Sequence, residues 1–158
     1  MKMKNKILSF LIFLLLSSCG YEARYSDKNQ INYDFYISEL NFDKDGDRQI
    51  NLKLKEKLST YTRNQKNNKF RLKILTTSKK SIIAKDLASD ATNFMIEITV
   101  DVEVLKNDNL RNNFLIIESF YYNNNSDKFE LKNYEKEIKN NLSNTAANKL
   151  ILRLSNIQ

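Results

Sequence analysis

The run TNFMIEITVDVEVLK, residues 92–106, carries an apolar side chain at every second position: Phe94, Ile96, Ile98, Val100, Val102 and Val104. Between them stand Glu97, Thr99, Asp101 and Glu103. A helix would scatter this pattern around its circumference, whereas a strand gathers it on one side, because successive side chains point to opposite faces. The run is therefore a strand with one dry face and one polar face. Such a strand belongs in an antiparallel sheet covered on one side, and the covering layer has to come from elsewhere in the chain.

The neighbouring segments supply the other parts. KFRLKILTTSKKSIIAKD alternates Phe70, Leu72 and Ile74 against Arg71, Lys73 and Leu75 and continues through Ile82 and Ile83, so it reads as a second strand. Between it and the first run, SKKSIIAKDLASDATN is expected to form a hairpin with a long or projecting tip. NNFLIIESFYYNNN is a further strand after the turn KNDNLRNN, and YDFYISELNF is an earlier one, with Phe35, Ile37 and Glu39 on one face and Tyr36, Ser38 and Leu40 on the other. Two segments have helical spacing instead. Ile50, Leu54, Leu58 and Tyr61 recur at steps of four, four and three, and Tyr134, Ile138, Leu142, Ala146, Leu150 and Leu154 recur at steps of four. Ser126 or Asp127 would cap the second helix, and the small Ala146 and Ala147 would let it lie close to the sheet. The order is β-α-β-β-β-α. It predicts an α+β fold, a two-layer sandwich with a four-stranded mixed sheet and two helices on one face, the first two strands parallel through a right-handed crossover.

NFDKDGDRQIN, residues 41–51, invites a calcium-loop reading through Asp43, Asp45 and Asp47. Counted from Asp43, the sixth position should be Gly and the twelfth a bidentate Glu. Those places hold Arg48 and Leu54, and Leu54 belongs to the apolar stripe of the helix. The stretch is a strand-to-helix turn in which Asp47 caps the helix and the acids favour its positive end.

The chain opens MKMKNKILSFLIFLLLSSCG: three lysines, an apolar run from Ile7 to Leu16, then small residues before Cys19. That is the layout of a secretory signal, and an apolar run of this length is too short to span a bilayer, which needs roughly 20 residues. LSSC resembles the bacterial lipobox, in which the cysteine sulfur takes a diacylglycerol, the signal is cut before it and the new amino terminus is acylated. Residues 1–18 are thus expected to be a lipoprotein signal peptide, 19–32 a lipidated tether and 33–158 the folded domain. Acyl chains on Cys19 would hold the protein on a membrane surface. Gly20, where inner-membrane retention would place Asp, implies the outer membrane by resemblance to lipoprotein sorting, on the periplasmic side.

Losing residues 1–18 removes Lys2, Lys4 and Lys6 and no acid, which lowers the net charge from +7 to +4. That excess is mild, and together with export it argues against a nucleic-acid partner. With its one thiol acylated, the mature domain can form no disulfide. There is no His, so Ser-His and Cys-His nucleophiles and zinc sites with nitrogen or sulfur ligands have no parts. No Gly-rich phosphate loop is present and no cofactor is expected. Carboxylate chemistry of the glycosidase kind stays open, although the acids fall on the polar faces of the elements. The expectation is a protein that is not an enzyme. Short amide and lysine runs such as Asn123-Asn124-Asn125 read as solvated turns. The candidate contact surface is the hairpin region, where Lys79, Lys80 and Lys85 flank Ile82 and Ile83, a mixture suited to a phosphorylated, acylated ligand or to a partner's wall. Phe120-Tyr121-Tyr122 reads as strand core and edge.

Together, CGY after the lipobox, GDRQINLKLKEKL opening the first helix, the return strand ATNFMIEITVDV and the last helix YEKEIKNNLSNTAANKLILRL resemble the lipopolysaccharide-assembly lipoproteins called LptE or RlpB, in the style of their alphaproteobacterial members. The resemblance covers almost the whole mature chain and rests on a pattern of elements. It implies a plug seated inside the outer-membrane β-barrel translocon LptD, which helps that barrel assemble and contacts lipopolysaccharide on its way to the outer leaflet. It does not assign ligand contacts to particular positions, so Lys79, Lys80 and Lys85 stand on location alone. Two other readings remain: another outer-membrane accessory lipoprotein, such as a pilotin or barrel-assembly helper, and a small periplasm-facing hydrolase using carboxylates.

Overall fold

The computed structural model describes residues 33–63 and 65–157. The segments expected to be signal and tether, with the expected lipidation site Cys19, lie outside the described residues.

Six main elements follow the expected order: β1 (Phe35–Phe42), α1 (Arg48–Leu58), β2 (Asn68–Lys85), β3 (Ala91–Lys106), β4 (Asn109–Asn123) and α2 (Lys128–Ser155), with one turn of 3-10 helix at Ser59–Thr62 after α1. The sheet runs β1-β2-β3-β4, with β1 parallel to β2 and the other pairs antiparallel. All six alternating apolar residues of β3 are buried, and Val100, Val102 and Val104 are sealed off completely. They pack with Phe70, Leu72 and Ile74 of β2, Ile50, Leu54 and Leu58 of α1, and Ala146, Ala147, Leu150 and Leu154 of α2. Each fully buried side chain of this size contributes about 1.5–3 kcal/mol.

Local chemistry sets the element boundaries. The Asp47 carboxylate accepts hydrogen bonds from the Gln49 and Ile50 amides, and Asp127 does the same for Phe129 and Glu130. Asp43 shapes the turn before α1, its carboxylate accepting from the Asp45 amide and its carbonyl from Gly46. Gly46 is packed tightly there: a β-carbon would meet the side-chain nitrogen Nδ2 of Asn51 at 2.9 Å and the Asp43 carbonyl and Thr76 Oγ1 at 3.1 Å. Between β3 and β4, Asn107 and Asp108 both adopt positive φ, 52° and 64°, the conformation a two-residue hairpin turn requires.

The structure corrects three details. Glu39 does not share a face with Phe35 and Ile37. A register shift between Ile37 and Glu39 inserts Ser38 as an extra residue, and Leu40 and Phe42 pack against the core instead. The hairpin tip is short: β2 and β3 remain paired as far as Lys85 and Ala91, so most of the segment expected to loop is ladder. On α2, Tyr134 is 45% exposed and the buried stripe starts at Leu131, because Leu131, seven residues before Ile138, takes the inward face of the first turns while Tyr134 lies at its flank, edge-on against Tyr122 of β4.

Candidate functional site

Beyond Thr76, β2 loses β1 as a neighbour, since β1 ends at Phe42 opposite Ile74. The amides of Asp43 and Asp47 close the ladder by donating to the carbonyls of Ile74 and Thr76. From there on, the distal part of β2 faces the N-terminal half of α2 across a groove of about 490 Å³. Ile96 and Phe129 supply its apolar surface, and Lys80, Lys132, Lys136 and Lys139 supply positive charge. A wider depression of about 800 Å³, between the end of β4 and the start of α2, holds only one ionisable carboxylate, Glu130, and no cation. The lysine-lined groove is therefore the stronger site, because charge and apolar surface converge there.

Two of its lysines are fixed by carboxylates. Lys80 Nζ lies 2.5 Å from Glu135 Oε1 and 4.0 Å from the centre of the Phe94 ring. Tyr122 donates to the same Glu135 oxygen at 2.8 Å. Burial, reinforced by that hydrogen bond to Glu135, pushes the Tyr122 hydroxyl well above its ordinary pKa, so it stays a donor. Lys139 Nζ bonds Asp47 at 2.9 Å, and Ser78 Oγ donates to the same Asp47 oxygen at 2.7 Å. Burial alone would raise the Asp47 carboxyl; the hydrogen bonds from Ser78, Lys139 and the Ile50 amide outweigh it and hold the group below the usual carboxylate value. Gln49 completes the frame, its amide donating to Lys136 O and Asn140 Oδ1, both at 2.9 Å. Lys132 and Lys136 stand exposed on the rim.

The structure brings together only part of the surface nominated from sequence. Lys79 and Lys80 both line the groove, but Lys79 is paired with Glu97 and turns to the uncovered face, whereas Lys80 is paired with Ile96 on the helix-covered face. Ile82 and Ile83 are half-exposed, and Lys85 ends the strand. Sequence reasoning passed over Lys132, Lys136 and Lys139. Their spacing of four and three marks one face of a helix, but they look like an ordinary solvated flank until the groove is visible. The aromatic run divides as expected of core and edge: Tyr122 is buried, while Phe120 and Tyr121 are exposed. Among the described residues, no cluster of acids or other metal-ligating groups is arranged to hold a metal ion, and no helix is long and apolar enough to cross a membrane.

Neither a protein-family model nor a curated protein sequence matches the chain. Solved structures do. The fold is similar to a minor lipoprotein from Acinetobacter baumannii, at 14% identity and a TM-score of 0.59 over 78% of this chain and 91% of that one. It is also similar to rare lipoprotein B from Shewanella oneidensis, at 14% identity and a TM-score of 0.57 over 74% and 93%. A third is lipoprotein B from Nitrosomonas europaea, at 13% identity and a TM-score of 0.54 over 82% and 90%. At these identities the shared property is the fold, a single α+β layer pair common to several bacterial lipoproteins.

Proposed function

We propose that this chain is a non-catalytic outer-membrane lipoprotein of the LptE or RlpB kind, anchored through Cys19. In this reading it plugs and helps assemble an LptD-like β-barrel and helps deliver lipopolysaccharide to the outer leaflet. The observation that carries it is the groove, where lysines surround Ile96 and Phe129 in a fold shared with rare lipoprotein B. Lysines pair with phosphates while an apolar floor receives acyl chains, and a phosphorylated, acylated ligand presents both. The uncovered sheet face, which mixes Glu97, Asp101, Glu103, Lys73 and Lys79 with Leu75, Leu115, Ile117 and Tyr121, offers a mixed polar and apolar surface to the lumen of a barrel.

The test is to extract membranes of the native organism in mild detergent and recover the protein through a C-terminal tag. A stoichiometric large β-barrel is the expected companion. Recovery with a secretion or pilus component instead would replace this reading with that of a pilotin. The ligand half is tested separately. Lys132→Glu with Lys136→Glu should lower binding to lipopolysaccharide about tenfold or more, since two charge-assisted contacts of about 1.5–3 kcal/mol each are at stake. Unchanged binding would remove the groove from the mechanism. Lys80→Glu is unsuitable, because it would face Glu135.

A further inference from the structure

Three stretches of the sheet turn backbone hydrogen-bonding groups outward, and they are protected unequally. The Asn124 amide donates to the Thr92 carbonyl, so even-numbered residues of β4 bond to β3 and odd-numbered ones turn outward. The amides arriving at Ile74 and Thr76 show that on β2 the even positions turn outward, which leaves Ser78, Lys80 and Ile82 beyond β1. The outer edge of β1 is only eight residues long and broken by its bulge. The distal edge of β2 carries Lys79, Lys80 and Lys85, and edge lysines deter pairing with another chain. From Asn112 to Asn123, β4 has neither a bulge nor an edge lysine, and its guards are the inward-pointing Glu118 and Arg153, which bonds the Leu115 carbonyl. Its ladder there is unbroken, and its one ionised side chain, Glu118, lies 2.5 Å from Lys149 in an ion pair that lacks hydrogen-bond alignment. Leu115, Ile117, Phe120 and Tyr121 are all 43–63% exposed along it.

We propose that the outward edge of β4, over residues 113–121, receives an extended segment of a partner protein as a fifth strand, and that this segment alternates apolar with acidic side chains. Side chains pointing to the uncovered face would land beside Leu115, Ile117 and Tyr121. Those pointing to the helix layer would land beside Phe114, Ile116, Glu118 and Phe120, so an acid is favoured opposite Phe114 and Ile116, next to Arg153 of α2, and disfavoured opposite Glu118, which Lys149 already holds. Both bases already reach this edge, Lys149 to Glu118 and Arg153 to the Leu115 carbonyl at 3.0 Å, with its guanidinium 5.5 Å from the Phe114 ring centre. An acid on the incoming strand would draw Arg153 away and release the Leu115 acceptor for the ladder. A second copy of this chain fits poorly. Two-fold antiparallel pairing keeps both helix layers on one side, so each copy's β4 would bring only Glu118, already paired with Lys149, and no further acid for Arg153. The inference stands independently of the lipopolysaccharide reading, since the groove lies on the other side of α2.

The full-length protein in detergent is mixed with a short peptide alternating valine and glutamate, or with one alternating valine and lysine, and amide exchange is followed residue by residue. The glutamate peptide is expected to slow exchange at Ile117, Ser119 and Tyr121 about tenfold, and the lysine peptide to leave it unchanged. Ser119→Pro removes one outward donor where an edge strand tolerates proline, and should abolish that protection without lowering the melting temperature. Should the proline variant unfold, Ile117→Lys, at an exposed position, serves instead and should likewise abolish protection. Equal protection by both peptides, protection confined to β2, protection retained in the variants, or no protection at all would overturn the proposal.

Discussion

The two halves of β2 obey one alternation and live in different surroundings. Phe70, Leu72, Ile74 and Thr76 are at most 2% exposed, held between β1, β3 and α1. Ser78, Lys80 and Ile82 continue the same face of the same strand, yet Ile82 is 53% exposed and Lys80 carries a charge. The difference arises where β1 stops and Asp47 closes the edge. Alternation assigns a side chain to a face; a neighbouring element decides whether that face is core, groove or surface.

The largest effect should come from the proximal half. Phe70→Ala is expected to cost about 3–5 kcal/mol in denaturant unfolding, as cavity-forming aromatic truncations do. A loss below about 1 kcal/mol would erase the contrast between the halves. At the boundary, Asp47→Ala should cost about 1–2 kcal/mol, because it deletes the cap of α1 and unties Ser78 and Lys139. Asp47→Asn should cost less, since Asn also caps.

Acid titration sharpens the same boundary. The folded Asp47 pKa lies below its ordinary value of 3.8. The unfolded chain therefore binds this proton first as pH falls, so the stability that Asp47 contributes is full above the ordinary value and is lost as pH drops through the lower folded one. Melting temperatures across that acid range should fall less steeply in Asp47→Asn than in the unmodified chain. An identical slope would mean that the carboxylate is not held by its partners. Among the smaller effects, Lys80→Met should change stability by about 0.5 kcal/mol or less, because its pair with Glu135 is partly solvated and Tyr122 still donates to Glu135. Ile82→Ser, in the uncovered half, should stay within about 0.5 kcal/mol of no change. A large loss there would show that the distal hairpin carries core packing of its own.

Much of this architecture could be read before the structure. The period of two in β3, the stripes at Ile50, Leu54, Leu58 and at Ile138, Leu142, Leu150, and the cap Asp47 all reappear where local chemistry places them, and of the two caps open for the last helix, Ser126 and Asp127, the structure uses Asp127. The misreadings come from pairings that no local period records. The Ser38 bulge shows only in the register against β2, the length of the hairpin only in its pairing with β3, and the exposure of Tyr134 only in its place beside Tyr122. The groove was harder still. Lys80 was nominated from its neighbours in sequence, but its partners Glu135 and Phe94 come from a helix and another strand, and Lys132 and Lys136 acquire meaning only once α2 lies across the sheet.

What the sequence determined by itself was the set of elements and the face each one presents, because side-chain direction repeats with backbone geometry over a few residues. Only the tertiary structure decided which lysines converge on one groove and which strand edge carries lysines and which exposed apolar side chains, because those depend on where separate elements end against one another.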